Sequence, residues 1–256
     1  MCGRFSLTAT PEEVAELFDL DGVGPFPPRY NIAPTQSIMM IVNGPNNKPV
    51  SQLVRWGLVP SWVREPENFT LLINARSETV IEKPSFRNAM RHRRTLVPAS
   101  GFYEWHRPAD KSQPKQPYWI KPRRSDGVIA FAGLMETWSS ANGSEIDSGC
   151  ILTTEANPEF AEIHHRLPVV IRPEDFERWL DCSNYEPRDM ADLLKPVEDD
   201  FFEIIPVSDR VNKVANMGAE IQLRIDPADR MAEKFGKTEK PSKPGPKPDD
   251  DQFKLF

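Results

Sequence analysis

The sequence predicts an α+β fold, a single domain of mostly antiparallel sheets with short peripheral helices. Short strand-like runs outnumber helical ones, and turn residues separate them. The 26 prolines among 256 residues interrupt regular elements. Strands do not alternate with long helices, so a doubly wound parallel sheet is not expected. We expect the sheets to close into a barrel-like core.

The first helix has the clearest start signal. Thr10 offers a capping hydroxyl, Pro11 occupies the first helical position and Glu13 lies three residues after the cap. Apolar side chains between Val14 and Phe18 would form its buried face. Further short helices are expected at residues 84–93, from residue 158, and at 173–180 and 187–194. Strands are expected at residues 38–42, 53–59, 95–99, 118–121, 128–135, 150–154, 168–171 and 204–207.

The chain divides into a domain and a tail. Residues 1–235 have mixed patterning without internal repeats, and we expect them to form a single domain. Residues 236–256 are rich in proline, lysine and aspartate and offer few core-forming side chains, so a disordered tail is expected. This tail ends in an apolar cluster, which is unusual on a solvated tether unless a partner binds it.

Composition excludes several classes of protein. A net charge of −6 argues against coating of nucleic acid by bulk positive charge. Three well-separated cysteines form neither a disulfide framework nor a zinc site, so we expect no metal and no cofactor. The first residues are too polar for a signal peptide, and no run is long enough to span a membrane. We expect a cytoplasmic protein associated with the nucleoid.

Positive charge is concentrated in one stretch. Between Asn74 and Arg94 there are six basic residues and two acidic ones, a local charge of +4. A solvated helix face is the ordinary interpretation of such a run. A local basic groove on an acidic body is the alternative that the sequence leaves open.

Cys2 is the most informative residue. A small second residue favours removal of Met1, whether by the protein itself or by an aminopeptidase, and the chain would then begin with a 1,2-aminothiol. Its α-amine titrates near about pH 8, so much of it is neutral and nucleophilic under cell conditions. Amine and thiol together capture an aldehyde as an imine and close it to a thiazolidine. Alternatively, Cys2 is a small apolar residue in a buried first strand.

Three further residues are candidates for proton transfer or positioning. Glu104 lies among three aromatic residues, where desolvation would raise its pKa, although a surface glutamate on an alternating strand is the alternative. His164, near a helix end, is either functional or structural. Because His165 is the next residue in the chain, we expect the two rings to point in different directions and to form no metal site. Asn74 at a strand end is ordinarily a turn residue.

Seven segments together resemble one family. They are MCGRF (1–5), YNIAP (30–34), RWGLVPSW (55–62), NARSET (74–79), RTLVPASGFYEW (94–105), AGLMET (132–137) and IHHRLPVVI (163–171). Their order and content resemble the SRAP family of abasic-site shielding proteins. The resemblance covers about residues 1 to 225 and does not extend to the tail.

The resemblance implies a function and a site. Members of this family form a covalent link to abasic sites in single-stranded DNA, whose ring-opened sugar is an aldehyde. It implies catalytic roles for Cys2 as the crosslinking residue, Asn74 as a hydrogen-bonding residue, Glu104 as acid and base, and His164 as an aid to ring opening. It also implies DNA contacts by four residues. The physical role of the two arginines would be to bind phosphates, and that of the other two residues would be to pack on unstacked bases. These residues are Arg4, Pro34, Trp62 and Arg76.

Two other functions remain open at this stage. An N-terminal-nucleophile cysteine hydrolase, a peptidase or glutaminase, would use the same amine to activate the thiol. A non-enzymatic reader of modified DNA bases would bind without Cys2. AP-lyase activity is expected as a side reaction, because an imine at C1′ acidifies the C2′ protons. For Trp62, core packing is the alternative to base stacking.

The last five residues resemble a docking motif. Gln252, Leu255 and Phe256 fit the QxxLF pattern by which bacterial DNA-repair proteins bind the sliding clamp. We therefore expect the clamp as a partner, beside single-stranded DNA that contains abasic sites, and no membrane partner.

Overall fold

The computed structural model describes residues 2–108, 110, 113–124 and 127–227. Within these residues there are thirteen strands and four α-helices. The strands are β1 (Phe5–Leu7), β2 (Arg29–Ile32), β3 (Ser37–Asn43), β4 (Pro49–Trp56), β5 (Asn74–Arg76), β6 (Arg94–Ala99), β7 (Gly101–His106), β8 (Gln116–Pro122), β9 (Ile129–Ser139), β10 (Glu145–Glu155), β11 (Arg166–Pro168), β12 (Val170–Ile171) and β13 (Phe202–Pro206). The helices are α1 (Pro11–Leu17), α2 (Arg87–His92), α3 (Pro158–Ala161) and α4 (Phe176–Leu180).

A closed barrel forms the centre of the fold. Strands β10, β4, β3, β6 and β9 pair in that order, and β9 pairs again with β10 to close the cycle. Among the named strands of the described chain, β10 makes the parallel pairings, with β4 and β5, and all others are antiparallel. The predicted α+β fold with mostly antiparallel sheets and a barrel-like core is confirmed.

A second sheet brings the N-terminal strand against the barrel. Its order is β13-β8-β7-β1-β2. Phe5 of β1 lies in the shared core, with its ring centroid 5.2 Å from that of Trp56 on β4 and 6.4 Å from that of Phe131 on β9. Aromatic edge-to-face packing of this kind stabilises a core beyond its buried area. The segment just before β1 is thereby held at the barrel.

Helix α1 begins as the sequence predicts. The Thr10 hydroxyl accepts a hydrogen bond from the Glu13 backbone N–H, and the Glu13 carboxylate accepts one from the Thr10 N–H at 2.7 Å. This reciprocal capping satisfies two backbone donors that the helix itself leaves unpaired. Val14 and Phe18 are buried, and the Phe18 ring stacks on Phe176 of α4.

Several predicted elements have other limits. The strand expected at 53–59 ends at Trp56, because Gly57 turns the chain with φ +133°, a conformation that favours glycine. The run expected at 168–171 divides into β11 and β12, which pair with different strands, β10 and β9. The helix expected at 187–194 is a 3-10 turn, Pro187–Met190, and the one expected at 173–180 is a 3-10 turn followed by α4.

The described strands and helices belong to one unit, Met1–Arg224. The boundary expected at residue 235 and the tail expected at 236–256 lie outside the described residues and stay predictions. No helix among the described residues is long and apolar enough to cross a membrane.

Arg94 joins α2, α4 and β6 through a buried guanidinium. It is 2% exposed, and its nitrogens donate hydrogen bonds of 2.7 to 3.0 Å to four backbone carbonyl oxygens. The Met90 and Trp179 carbonyls lie near the ends of short helices, and those of Asp181 and Tyr185 lie in the turn after α4, where the Asp181 oxygen also accepts from the Tyr185 N–H at 3.3 Å. The acceptors belong to Met90, Trp179, Asp181 and Tyr185.

We predict that Arg94→Ala lowers the free energy of unfolding by about 3 kcal/mol or more, because it leaves buried carbonyls without donors. Arg93→Ala, which removes one hydrogen bond to Thr137, is the control and lowers it by less than about 1 kcal/mol. Urea denaturation compares the two. Equal midpoints for both variants would contradict a structural role for Arg94.

Candidate active site

Strand pairing at the N-terminus places Cys2 near Glu104. Phe5 of β1 lies opposite Phe102 of β7, and the Tyr103 N–H donates to the Arg4 carbonyl oxygen at 2.9 Å. Cys2 lies three residues before Phe5, and Glu104 lies two residues after Phe102. Because β1 and β7 are antiparallel, both residues lie at the same end of this pairing, on adjacent segments of backbone. Cys2 is 1% exposed, which also agrees with the alternative that it is a small apolar residue in a buried segment.

Asn74 fixes the backbone of Cys2 from the barrel side. It is the first residue of β5, and its Nδ2 donates to the Cys2 carbonyl oxygen at 2.8 Å. Its Oδ1 is buried and accepts no hydrogen bond from any described residue. A buried amide oxygen without a donor is costly and suits a ligand group that donates to it. Because Asn74 lies within β5, the alternative of a turn residue is wrong.

Glu104 is a buried carboxyl group at this position. It is 4% exposed, so the alternative of a surface glutamate is wrong. Burial raises the pKa of Glu104 above its ordinary value, as the sequence predicted. Burial also raises the pKa of the Cys2 thiol, and the nearby charge of Glu104 raises it further. The thiol is therefore protonated at rest.

His164 is half-buried and lies beside the start of β11. Its Nδ1 lies 3.0 Å from the Arg166 backbone nitrogen, whose N–H donates to it, and 3.3 Å from the Arg166 carbonyl oxygen. Burial lowers the pKa of His164 to about 4, so the ring is neutral at physiological pH. The expectation that His164 and His165 point apart is wrong: their rings stack with centroids 4.4 Å apart.

An ion pair between the buried Arg166 and the exposed Glu78 joins the segments that carry Asn74 and His164. Arg166 Nη1 and Nη2 donate to the two Glu78 carboxylate oxygens at 2.7 and 2.9 Å. Burial raises the pKa of Glu78, but the hydrogen bonds from Arg166 outweigh this effect, and the pKa lies below its ordinary value. Arg166 is 6% exposed, and such bidentate geometry limits its rotation. Because its N–H also holds the His164 ring, this pair fixes one side of the site.

Sequence reasoning missed this pair and Arg107. Glu78 and Arg166 are 88 residues apart, and a contact at that separation leaves no local pattern. Burial has the larger effect on both groups, raising the pKa of Glu104 and lowering that of His164. The positive charge of the exposed Arg107, which follows β7, lowers the pKa of both. Glu104 and His164 therefore share one electrostatic environment.

The four candidate DNA-binding residues differ in setting. Arg4 is half-buried, and its Nη1 donates to Asn31 Oδ1 at 2.7 Å and to the Val211 carbonyl oxygen at 2.8 Å, so part of its guanidinium is bound within the protein. Arg76 is exposed at the end of β5. Pro34 is half-buried and precedes a turn in which Thr35 has φ +72°.

Trp62 is a surface residue, and the alternative of core packing is wrong. It is 57% exposed, its ring meets Phe69 edge-to-face at 5.8 Å, and its Nε1 donates to the Pro84 carbonyl oxygen. No contact among the described residues joins it to Cys2, Glu104 or His164. The clamp-binding candidates Gln252, Leu255 and Phe256 lie outside the described residues.

The assembled groups suit covalent chemistry by amine and thiol. They are a buried thiol at Cys2, a fixed amide at Asn74, a carboxyl group with a raised pKa at Glu104 and a neutral imidazole at His164. Among the described residues, no group of three or more histidine, cysteine, aspartate or glutamate side chains is arranged to hold a metal ion.

Fold and site together define a class of protein: a β-barrel domain whose N-terminal strand places a buried cysteine beside a carboxamide and a carboxyl group. The sequence profile of one family, SOS response associated peptidase (SRAP), matches residues 1–214. The chain belongs to this family, and the resemblance seen in its sequence is confirmed.

Relatives and solved structures agree with this assignment. Abasic site processing protein YoaM of Bacillus subtilis is 39% identical over 224 residues, which cover 86% of this chain and 97% of that protein. Abasic site processing protein YedK of Escherichia coli is 32% identical over 229 residues, 86% of this chain and 98% of that protein. A crystal structure of a protein from Bacteroides thetaiotaomicron is 27% identical, has a TM-score of 0.76, and covers 88% of this chain and 100% of that one.

We predict that the imidazole of His164 titrates near pH 4 in the folded protein, because burial disfavours its charged form. Proton–carbon NMR correlation spectra recorded against pH measure the midpoint, and His164→Gln assigns the resonance by its disappearance. A midpoint near the ordinary histidine value of about 6.5 would contradict the environment described for this ring.

Proposed function

We propose that this protein forms a covalent crosslink between Cys2, after removal of Met1, and the aldehyde of an abasic site in single-stranded DNA. The observation that carries the proposal is the convergence of Cys2, Asn74 and Glu104 from three distant segments of the chain. The names of the relatives, abasic site processing proteins, support the abasic site as the target. The product shields the site during replication and repair.

The protonation states of the site support an order of steps. Because the thiol is buried and its pKa is raised, the neutral α-amine of Cys2 attacks C1′ of the ring-opened sugar first. Glu104 protonates the leaving hydroxyl of the carbinolamine, water departs, and the nitrogen returns its remaining proton to the Glu104 carboxylate to give an imine. The thiol sulfur then adds to C1′ and its hydrogen passes to nitrogen, which closes a five-membered thiazolidine.

Asn74 and His164 take positioning roles in this proposal. Asn74 holds the Cys2 carbonyl through Nδ2, while its buried Oδ1 accepts a hydrogen bond from the sugar or from the new ring. The neutral His164 ring donates from Nε2 to a sugar oxygen and thereby assists ring opening.

Four further residues contact the DNA strand in this proposal. Arg76 holds phosphate, and Trp62 and Pro34 contact bases. Arg4 contributes those guanidinium atoms that Asn31 and Val211 do not bind.

Thiazolidine closure also limits a side reaction. An imine at C1′ acidifies the C2′ protons and leads to β-elimination, the AP-lyase reaction. Addition of sulfur removes the imine, so the intact protein protects the strand. A cysteine hydrolase of the N-terminal-nucleophile class needs an activated thiolate, which the raised pKa of Cys2 disfavours. Hydrolysis of a peptide or of glutamine without any crosslink would favour that class.

We predict that Cys2→Ala abolishes the heat-stable crosslink to an abasic single strand while some lyase or transient imine chemistry remains, since the amine is still present. Glu104→Gln slows crosslinking by roughly 100-fold, a typical loss for a general acid or base. Denaturing gels after incubation with an abasic oligonucleotide measure both effects.

Cys182→Ala is the matched control, because it removes a half-buried thiol that is not part of the site. It crosslinks as the unmodified protein does. A heat-stable crosslink formed by Cys2→Ala would refute the thiazolidine.

We also propose that the C-terminal residues dock on the sliding clamp. The support is the QxxLF pattern of Gln252, Leu255 and Phe256 at the end of a proline- and lysine-rich segment. Docking of this kind would bring the crosslinking domain to replicating DNA.

We predict that deletion of residues 252–256 abolishes recovery of the clamp in a pull-down and leaves crosslinking to an abasic single strand unchanged in vitro. The separation follows because the motif lies outside the segments that form the candidate active site. Equal recovery of the clamp by the full chain and the deletion variant would dismiss the docking motif.

A further inference from the structure

A cavity of about 560 Å³ lies outside the candidate active site, and its seven lining residues include three arginines and one glutamate, Glu186. Arg87 and Arg91, one helical turn apart, line it from α2, and Arg188 lines it from the 3-10 turn Pro187–Met190. We call the surface formed by Arg87, Arg91 and Arg188 the arginine groove. Two segments about a hundred positions apart in sequence thus place three guanidinium groups around one cavity.

The charges in the arginine groove are only partly neutralised. Arg91 pairs with Glu186 at 2.9 Å, and both side chains are more than half exposed. Among the described residues, no carboxylate lies within ion-pairing distance of Arg87 or Arg188. Three guanidinium groups around one carboxylate leave an excess of positive charge, and a bound anion relieves the repulsion among them.

A partly buried hydrogen bond joins the lining of the groove to β9. Asn88 lines the cavity, and its Nδ2 donates to Glu136 Oε1 at 2.7 Å. Glu136 is 6% exposed, so its charge lies beneath the surface and is bound to Asn88. The exposed guanidinium groups of Arg87 and Arg188 are therefore the charges available to a ligand.

The groove adjoins the residues assigned above to DNA. The chain between Arg76 and Arg87 folds as consecutive turns, with backbone hydrogen bonds such as Thr79 N–H to the Arg76 carbonyl oxygen and Arg87 N–H to the Lys83 carbonyl oxygen. Ile81 of these turns lines the cavity. Trp62 contacts the same turns at Pro84. One short segment thus separates Arg76 and Trp62 from the arginine groove.

We propose that the arginine groove binds backbone phosphates of the DNA strand on one side of the abasic nucleotide. The inference rests on the proposed function, which supplies the strand. Guanidinium groups bind phosphate in a bidentate manner, and such contacts position a strand without reading its sequence. The basic stretch of the sequence thereby has a role beyond that of a solvated helix face, on a protein whose net charge is −6.

The test is equilibrium binding of strands that carry a tetrahydrofuran analogue of the abasic sugar, which cannot crosslink. Three strands are compared. One extends on both sides of the analogue, one ends just 5′ of it and so keeps only the 3′ flank, and one ends just 3′ of it and so keeps only the 5′ flank. The variant is Arg87→Gln with Arg188→Gln. Fluorescence anisotropy against salt concentration gives the affinity and its salt dependence.

The matched control is Arg124→Gln with Arg172→Gln. These arginines line a different cavity, of about 490 Å³, together with the acidic residues Glu198, Asp199 and Asp200. Both double variants remove two positive charges, so an effect of net charge alone appears equally in each. Thermal denaturation verifies that both variants are folded.

We expect the groove variant to bind the full strand more weakly, with a logarithmic salt slope about 1.4 less steep, the value for two lost phosphate contacts to a single strand. Only one of the two truncated strands contains the phosphates that the groove binds. We expect the groove variant to lose the same affinity for that strand and to bind the other truncated strand as tightly as the unmodified protein does. An unchanged slope, a loss equal to that of the control, or equal losses on both truncated strands would overturn the proposal. Absence of crosslinking to a true abasic strand by the unmodified protein would instead refute the proposed function and leave this binding result standing.

Discussion

The antiparallel pairing of β1 with β7 determines where the reactive groups of this protein lie. Phe5, packed on the barrel, anchors β1, and the hydrogen bond from Tyr103 N–H to the Arg4 carbonyl sets its register. The register brings Cys2 beside Glu104. Since Asn74 reaches the same backbone from the barrel, both sheets contribute to one small site. A slip of one residue would turn these side chains to opposite faces.

Burial then sets the protonation of the site. It raises the pKa values of the Cys2 thiol and Glu104 and lowers that of His164. The effects on stability have opposite signs. For His164, stability is lost as pH falls from about 6.5 through about 4, because the unfolded ring then binds the proton more strongly. For Glu104, stability is lost as pH rises above its ordinary value, because the folded state resists ionisation. A site that resists charge in this way favours an amine and a neutral thiol over a thiolate.

Much of this arrangement was predictable from sequence, and the remainder depends on contacts between distant segments. The capping box at Thr10 and the excess of short strands leave local patterns, so α1 and the fold class were predicted correctly. The pairing of Glu78 with Arg166 and the stacking of His164 on His165 arise only when β5 and β11 meet β10. Strand limits were wrong where a single glycine or a change of pairing partner ends a run that remains apolar. The basic stretch was visible in the sequence, but Arg188, which completes the groove, was not.

Intact mass spectrometry of the protein mixed with an abasic single strand shows directly whether the N-terminal aminothiol captures the sugar. We expect one covalent species whose mass is that of the chain without Met1 plus that of the oligonucleotide, less one water. We also expect acetylation of the α-amine to prevent this species. Retention of Met1 in a protein that still crosslinks, or undiminished crosslinking after acetylation, would contradict capture by the aminothiol.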